Sequence, residues 1–270
     1  MSTEGSTKAI FAALGANVGI AITKFIAAAF SGSASMFAEA IHSVADSGNQ
    51  LLLIIGGKRA KRQATAAHPF GYGRSRYIYA FMVSIVLFSI GGMFSILEGV
   101  SKLNEHHELE NAWLPLLVLG VSIVLESFSL RTALREASPL RGGASWGKFI
   151  RHAKAPELPV VILEDTAALV GLVLAFLGVG LTALTGNSTF DAIGTICIGL
   201  LLIVVAGILG YEIKGLLVGE GAGAEDLAAI VAAVAGSGSA ERIIHMKTLY
   251  LGPDELMVGA KIAFDPHAKF

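Results

Sequence analysis

Charge is what this sequence has least of. Only 15% of its 270 residues are charged, against roughly 25% in soluble domains. The deficit is uneven, and long stretches carry one charge or none. A soluble catalytic domain filling the chain is thereby excluded, as are disordered and collagen-like classes. Cysteine is nearly absent too. Cys197 stands alone inside an apolar run, so no internal disulfide, cysteine zinc finger or iron–sulfur site can form. A net charge of −1 with a pI near 6.7 gives no global pull toward nucleic acid. The first apolar run has no small-residue cleavage site and another run follows at once, so it reads as a permanent span rather than a signal peptide. Gly71 and Gly73 are too few to make a nucleotide cradle, and no His-Glu-x-x-His motif marks an intramembrane metalloenzyme.

What is present is apolar length. Mean hydropathy is +0.68. A helix needs about 20 mostly apolar residues to cross the hydrocarbon core. Six segments qualify, at residues 10–30, 34–55, 77–100, 113–134, 158–182 and 190–211. Backbone groups in lipid must be satisfied internally, so all six are expected as helices. Loop charge sets their orientation. The second loop carries Lys58, Arg59, Lys61, Arg62, Arg74 and Arg76 with no acid. The fourth carries Arg131, Arg135, Arg141, Lys148, Arg151 and Lys154 against Glu136 and Glu157. The connections at 31–33 and 184–189 are uncharged, and the third holds Lys102 against Glu105, Glu108 and Glu110. The basic loops are therefore expected in the cytoplasm, or in the matrix of an organelle, with both termini on that side. A bacterial inner membrane is the expected location.

Composition changes after Leu217. Residues 225–235 suit an amphipathic helix. Residues 242–251 and 255–264 suit two strands joined by Gly252-Pro253-Asp254. The fold class expected is an all-α polytopic membrane protein over residues 1–217, followed by the start of a small α+β cytosolic domain over 218–270. One helix and two strands make a poor core, so that second unit reads as incomplete at Phe270.

Ionisable residues inside apolar spans are functional suspects. The second span holds Glu39, His42, Asp46 and Asn49, whose spacing puts them on one helical face. His42 and Asp46 are one turn apart and can reach one ion. The fifth span holds Glu164 and Asp165, adjacent carboxylates whose mutual repulsion a bound cation would relieve. Ala168 and Gly171 follow, small enough for close approach of a neighbouring helix. The structural alternative is a polar stripe that only glues helices together.

The run from Ser33 to Asp46, Ser-Ala-Ser-Met-Phe-Ala-Glu-Ala-Ile-His-Ser-Val-Ala-Asp, resembles the second helix of the cation diffusion facilitator family. His68-Pro69-Phe70-Gly71-Tyr72-Gly73-Arg74 resembles that family's loop before the third helix, and Asp191 opens the sixth helix as the family's aspartate does. Leu163-Glu164-Asp165, together with the sequence from His42 to Gln50, is most similar to the mitochondrial zinc-exporter branch and its bacterial relatives. The resemblance implies a six-span fold with a ferredoxin-like cytosolic domain. It also implies a homodimer and a secondary transporter exchanging a divalent metal for protons. It places transport-site ligands at His42, Asp46 and Asp165. The fourth position, a histidine in most zinc members, falls on Val161, which cannot ligate, leaving Glu164 or water to fill it. Tyr72 replaces the loop's second histidine, so His68 has no partner there. His245, His152 and the His106-His107 pair likewise lack matched neighbours.

One imidazole with two carboxylates suits a borderline ion such as Zn2+ as the transported substrate. Protons compete for the same ligands, so His42 and Asp46 are the candidates for proton coupling. The alternatives are export of Mn2+, Fe2+, Co2+ or Ni2+ on the same fold, or a scaffold that does not transport. Membrane lipid is an expected partner and nucleic acid is not. Two structural ion pairs are also expected: Lys24 with Glu98, at comparable depth in the first and third spans, and Arg74 with Glu212 or Glu220.

Overall fold

The computed structural model describes residues 3–104, 112–237 and 240–264, with side chains in the first helix described from Asn17 onward. The expectations for Glu105, His106, His107, Glu108 and Glu110 lie outside the described residues. Helices α1 (Thr3–Ser31) and α2 (Ala34–Ala60) form a tight hairpin. Gly32, at φ +67, makes the turn, a left-handed conformation that costs glycine little. Ser33 caps α2 by accepting from the Met36 N–H.

The third expected span is one apolar stretch, but its helix is not uniform. It runs as α3 (Ser75–Val86), a π-helical segment (Leu87–Met93) and α4 (Phe94–Asn104). Gly91 and Gly92 sit in the widened turn, and the Ser95 hydroxyl donates to the Gly91 carbonyl at 2.6 Å. Helix α5 (Trp113–Arg141), the short α6 (Trp146–His152), α7 (Glu157–Thr185) and α8 (Thr189–Val218) follow. Gly186, at φ +70, ends α7.

By length and composition, four helical stretches can cross a membrane: Ser75–Leu103, Trp113–Arg141, Glu157–Thr185 and Thr189–Val218. The expected first two spans do not meet that standard. Over its described side chains α1 offers only the shorter apolar stretch Asn17–Ser31. Helix α2 is long enough, but Glu39, His42, Asp46, Asn49 and Gln50 make it polar over residues 39–50.

Helix α8 lies between α7 on one side and α3, the π segment and α4 on the other. Small residues set both crossings. A Cβ on Gly178 would come 3.1 Å from the Phe190 carbonyl, and one on Gly199 would come 2.7 Å from the Gly92 carbonyl. Without a hydrophobic drive between helices in lipid, such close backbone packing supplies the association. The buried core is correspondingly rich in alanine, including Ala38, Ala40, Ala175 and Ala206. Large apolar side chains such as Phe30, Leu97, Phe128 and Leu177 point outward, an arrangement suited to lipid.

After α8 come α9 (Ala224–Ala235) and an antiparallel hairpin, β1 (Ala240–Gly252) with β2 (Glu255–Phe264). Gly252 pairs with Glu255, so the turn is Pro253-Asp254 and Gly252 closes the strand rather than joining the turn. The hairpin is tied back to the chain after α8. The Tyr250 N–H donates to the Glu220 carbonyl, and the Tyr250 hydroxyl donates to Asp226, each at 2.9 Å. Burial, followed by this contact with Asp226, raises the Tyr250 hydroxyl above its ordinary pKa.

Candidate functional site

A cavity of about 300 Å³ lies among α1, α2, α5 and α7. Asp46 reaches it from α2, and Glu164 and Asp165 reach it from α7. Their helices are already fixed by the α1–α2 hairpin and the α5–α7 and α7–α8 packing. Asn49, fully buried one turn after Asp46, donates to Glu164 Oε1 at 2.9 Å. Asp46 and Glu164 line the same cavity from facing helices. The Ser129 hydroxyl on α5 donates to Asp165 Oδ2 at 2.9 Å. Glu164 therefore turns inward, and each α7 carboxylate is held by one polar donor from a different helix.

His42 is placed differently. It is 1% exposed and does not line the cavity. Its Nδ1 lies 3.5 Å from Asp46 Oδ1, and neither ring nitrogen has a hydrogen-bond partner among the described residues. The ring faces the π segment, where a Cβ on Gly91 would come 3.8 Å from Nδ1. Among the described residues, no three His, Cys, Asp or Glu side chains stand close enough together to hold one metal ion. The structure thus brings Asp46, Glu164 and Asp165 to one space and sets His42 behind Asp46. Val161 also lines the cavity, so the position lacking a ligand is occupied by an apolar wall.

One acid at the site and one contact beside it go beyond the sequence expectations. Glu126 on α5 lines the same cavity. The signal was available, since it is an acid in the middle of an apolar span. The contact is that of Asp191, expected at the start of the sixth span, with the start of α2. Its carboxylate accepts from the Ala34 N–H at 2.6 Å and the Ser33 hydroxyl at 2.9 Å, and also from the Ser35 hydroxyl. It thus closes the N-terminus of α2, where a negative charge meets the positive end of the helix dipole.

Both expected ion pairs need correction. Lys24 does not pair with Glu98. Its ammonium is 3.1 Å from Glu39 Oε2 and donates to the Ser43 hydroxyl at 2.8 Å. The α1–α2 hairpin explains this, because Lys24 lies eight residues before Gly32 and Glu39 seven after, so antiparallel helices set them level. Among the described residues Arg74 forms no ion pair with Glu212 or Glu220; Glu220 pairs with Lys154 instead. The neighbouring Arg76 carries the bridging role, meeting Glu157 at 2.7 Å and Asp254 at 3.0 Å. His68 stacks edge-on against Tyr72 with ring centroids 4.6 Å apart. His152 contacts the Lys148 carbonyl, and His245 lies opposite Lys261 in the hairpin.

A family model for the cation efflux transmembrane domain matches residues 10–218. The chain is 31% identical over 264 residues to the protein named proton-coupled zinc antiporter SLC30A9, mitochondrial, of Mus musculus, a match covering 97% of this chain and 47% of that protein. It is 29% identical over 269 residues to metal tolerance protein C4 of Arabidopsis thaliana, covering 98% and 58%. A shorter match, 27% over 131 residues, joins it to magnetosome protein MamM of Paramagnetospirillum magneticum, covering 47% and 41%. The chain spans about half the length of the first of these relatives.

Proposed function

Because this chain belongs to the cation efflux family, the cation diffusion facilitators, we propose that it is a secondary transporter moving a divalent metal, Zn2+, across a membrane in exchange for protons. The family is one of multi-pass membrane transporters, not enzymes. The observation that carries the reading is the convergence of Asp46, Glu164 and Asp165 on one cavity, beside a buried imidazole with unpartnered nitrogens. Oxygen donors plus one imidazole match a borderline divalent ion. In our reading Asp46, Glu164 and Asp165 draw together around the ion from their places on the cavity wall, and His42 completes the set by moving past Asp46. Carboxylates and imidazole bind metal only when deprotonated, so His42 and Asp46 exchange protons for metal as access alternates between the two sides.

The wider architecture belongs to the same proposal. Helices α1 and α2 complete six spans, with residues 1–217 as the transport domain and 218–270 as a cytosolic unit. Both termini lie on the side of the basic loops, in a bacterial inner membrane. The working form is a homodimer.

The test is metal-dependent proton flux in proteoliposomes carrying Zn2+, Mn2+, Fe2+, Co2+ or Cd2+. Asp46→Ala and Asp165→Ala should each abolish flux while the protein still folds and inserts. Normal transport by both variants would refute the site. Replacing His42 by Asp should favour harder ions such as Mn2+ over Zn2+, and an unchanged selectivity order would remove His42 from the ligand set.

A further inference from the structure

The transport cavity has a charge imbalance. Asp46, Glu126, Glu164 and Asp165 all line it, and Lys24 is the one basic side chain among its described lining residues. Lys24 is 4% exposed. Its ammonium is held by Glu39 and by Ser43, which itself lines the cavity. Glu39 is fully buried behind it, does not line the cavity, and presses its Oε1 against α7, where a Cβ on Gly171 would come 2.9 Å away. That oxygen has no hydrogen-bond partner among the described residues. The pair is therefore oriented, with the positive end toward the metal cavity and the negative end toward the helix wall.

A buried ion pair is a weak source of stability, because desolvating both charges offsets much of their attraction. An apolar pair of equal volume would join α1 to α2 as well. What the ion pair adds is field. One fixed positive charge beside four carboxylates lowers their repulsion and opposes the entry of further positive charge.

We propose that Lys24 is a tethered counter-cation of the transport cavity, held by Glu39 and Ser43 so that it weakens metal binding enough for the ion to be released. This rests on the reading that the cavity binds the transported metal. Lys24 is a positioning and tuning residue and not a ligand. Its role gives opposite signs for its two partners. Lys24→Met removes positive charge from beside the cavity, whether Glu39 then keeps its charge or takes a proton. Glu39→Gln leaves the ammonium in place and removes the carboxylate that offsets it.

The experiment is calorimetric titration of the purified protein in detergent with Zn2+, paired with Zn2+ flux in proteoliposomes. Lys24→Met should bind Zn2+ tighter and turn over more slowly, and Glu39→Gln should bind it more weakly. Each shift is expected to be about tenfold, the scale of one partly screened charge acting on a divalent ion. The Lys24→Met/Glu39→Gln double variant, which strands neither partner, should bind tighter than wild type. Weakened binding in both single variants with wild-type affinity in the double would make the pair a structural brace and overturn the proposal. So would unchanged affinity in all three. Asp46→Ala separates the two levels. If it loses binding while the Lys24 and Glu39 variants show no opposed response, only the tuning role falls. If it keeps full binding, the cavity is not the metal site and both readings fall.

Discussion

Asn49 shows how one neutral side chain can set the state of a charged one. It is fully buried on α2, and its amide donates to Glu164 across the α2–α7 contact. Glu164 shares the cavity with Asp46 and Asp165, so Asn49 is the donor that supports its carboxylate among like charges. Losing a hydrogen bond to a charged group costs about 1.5–3 kcal/mol. Asn49→Ala should lower thermal stability by that order and cut Zn2+ flux by about tenfold or more. A variant with wild-type melting and flux would show that Glu164 needs no such support. The carboxylates of the cavity were largely legible in the sequence, because a carboxylate inside an apolar run is conspicuous. Glu126 is equally conspicuous in its apolar run, but no second acid stands beside it to suggest a shared ion. The partner of Lys24 was not legible from depth alone. Glu98 and Glu39 both satisfy depth, and only the tight turn at Gly32 decides between them.

At the scale of elements, α8 is the shared wall against which α7, α3, the π segment and α4 all pack. Its fit depends on glycine where backbone meets backbone. On Gly199 an added methyl would meet the Gly92 carbonyl at 2.7 Å and the Ile96 nitrogen at 2.9 Å, neither of which can move aside alone. On Gly207 an added methyl would meet nothing within 4 Å. Gly199→Ala should therefore destabilise the protein by about 1–3 kcal/mol, the cost of overpacking, while Gly207→Ala is neutral. Thermal denaturation in detergent separates them, and equal melting temperatures would mean that α4 and α8 are not in close contact. Apolar length made these helices legible, and the expected spans at 113–134 and 158–182 fall inside α5 and α7. Helix α5 nonetheless continues to Arg141, because charge ends a membrane crossing without ending a helix. The π segment left no mark in hydropathy. Its one-residue widening is fixed by how Gly91 and Gly92 seat against α8, a tertiary fact.

Across the whole molecule, the hairpin tip is the point where the C-terminal unit meets the helices. Gly73, in the loop before α3, lies so close to it that a Cβ would come 2.6 Å from the Leu251 carbonyl and 3.1 Å from the Gly252 Cα. Beside this contact Arg76 holds both Glu157, the first residue of α7, and Asp254 of the turn. Lys154, just before α7, holds Glu220 and lies 5.4 Å from the Tyr250 ring centroid. The loop before α3, the start of α7 and the hairpin are thus joined at one junction, and α7 carries Glu164 and Asp165. The sequence suggested an ion pair at Glu220 but not its partner, since it shows that basic loops and acids past α8 exist and not which ones meet. The partly exposed ion pairs contribute only about 0–1 kcal/mol each, whereas the Gly73 contact is steric and leaves no room. Gly73→Ala should therefore lift the hairpin more than Arg76→Ala does. Hydrogen–deuterium exchange is the direct measure. Exchange in residues 249–256 should rise strongly in Gly73→Ala and slightly in Arg76→Ala, with the middle of α8 unchanged in both. If Gly73→Ala leaves exchange in the hairpin as it was, the tip does not rest on this loop. A larger effect from Arg76→Ala would mean that charge, and not close packing, holds the junction.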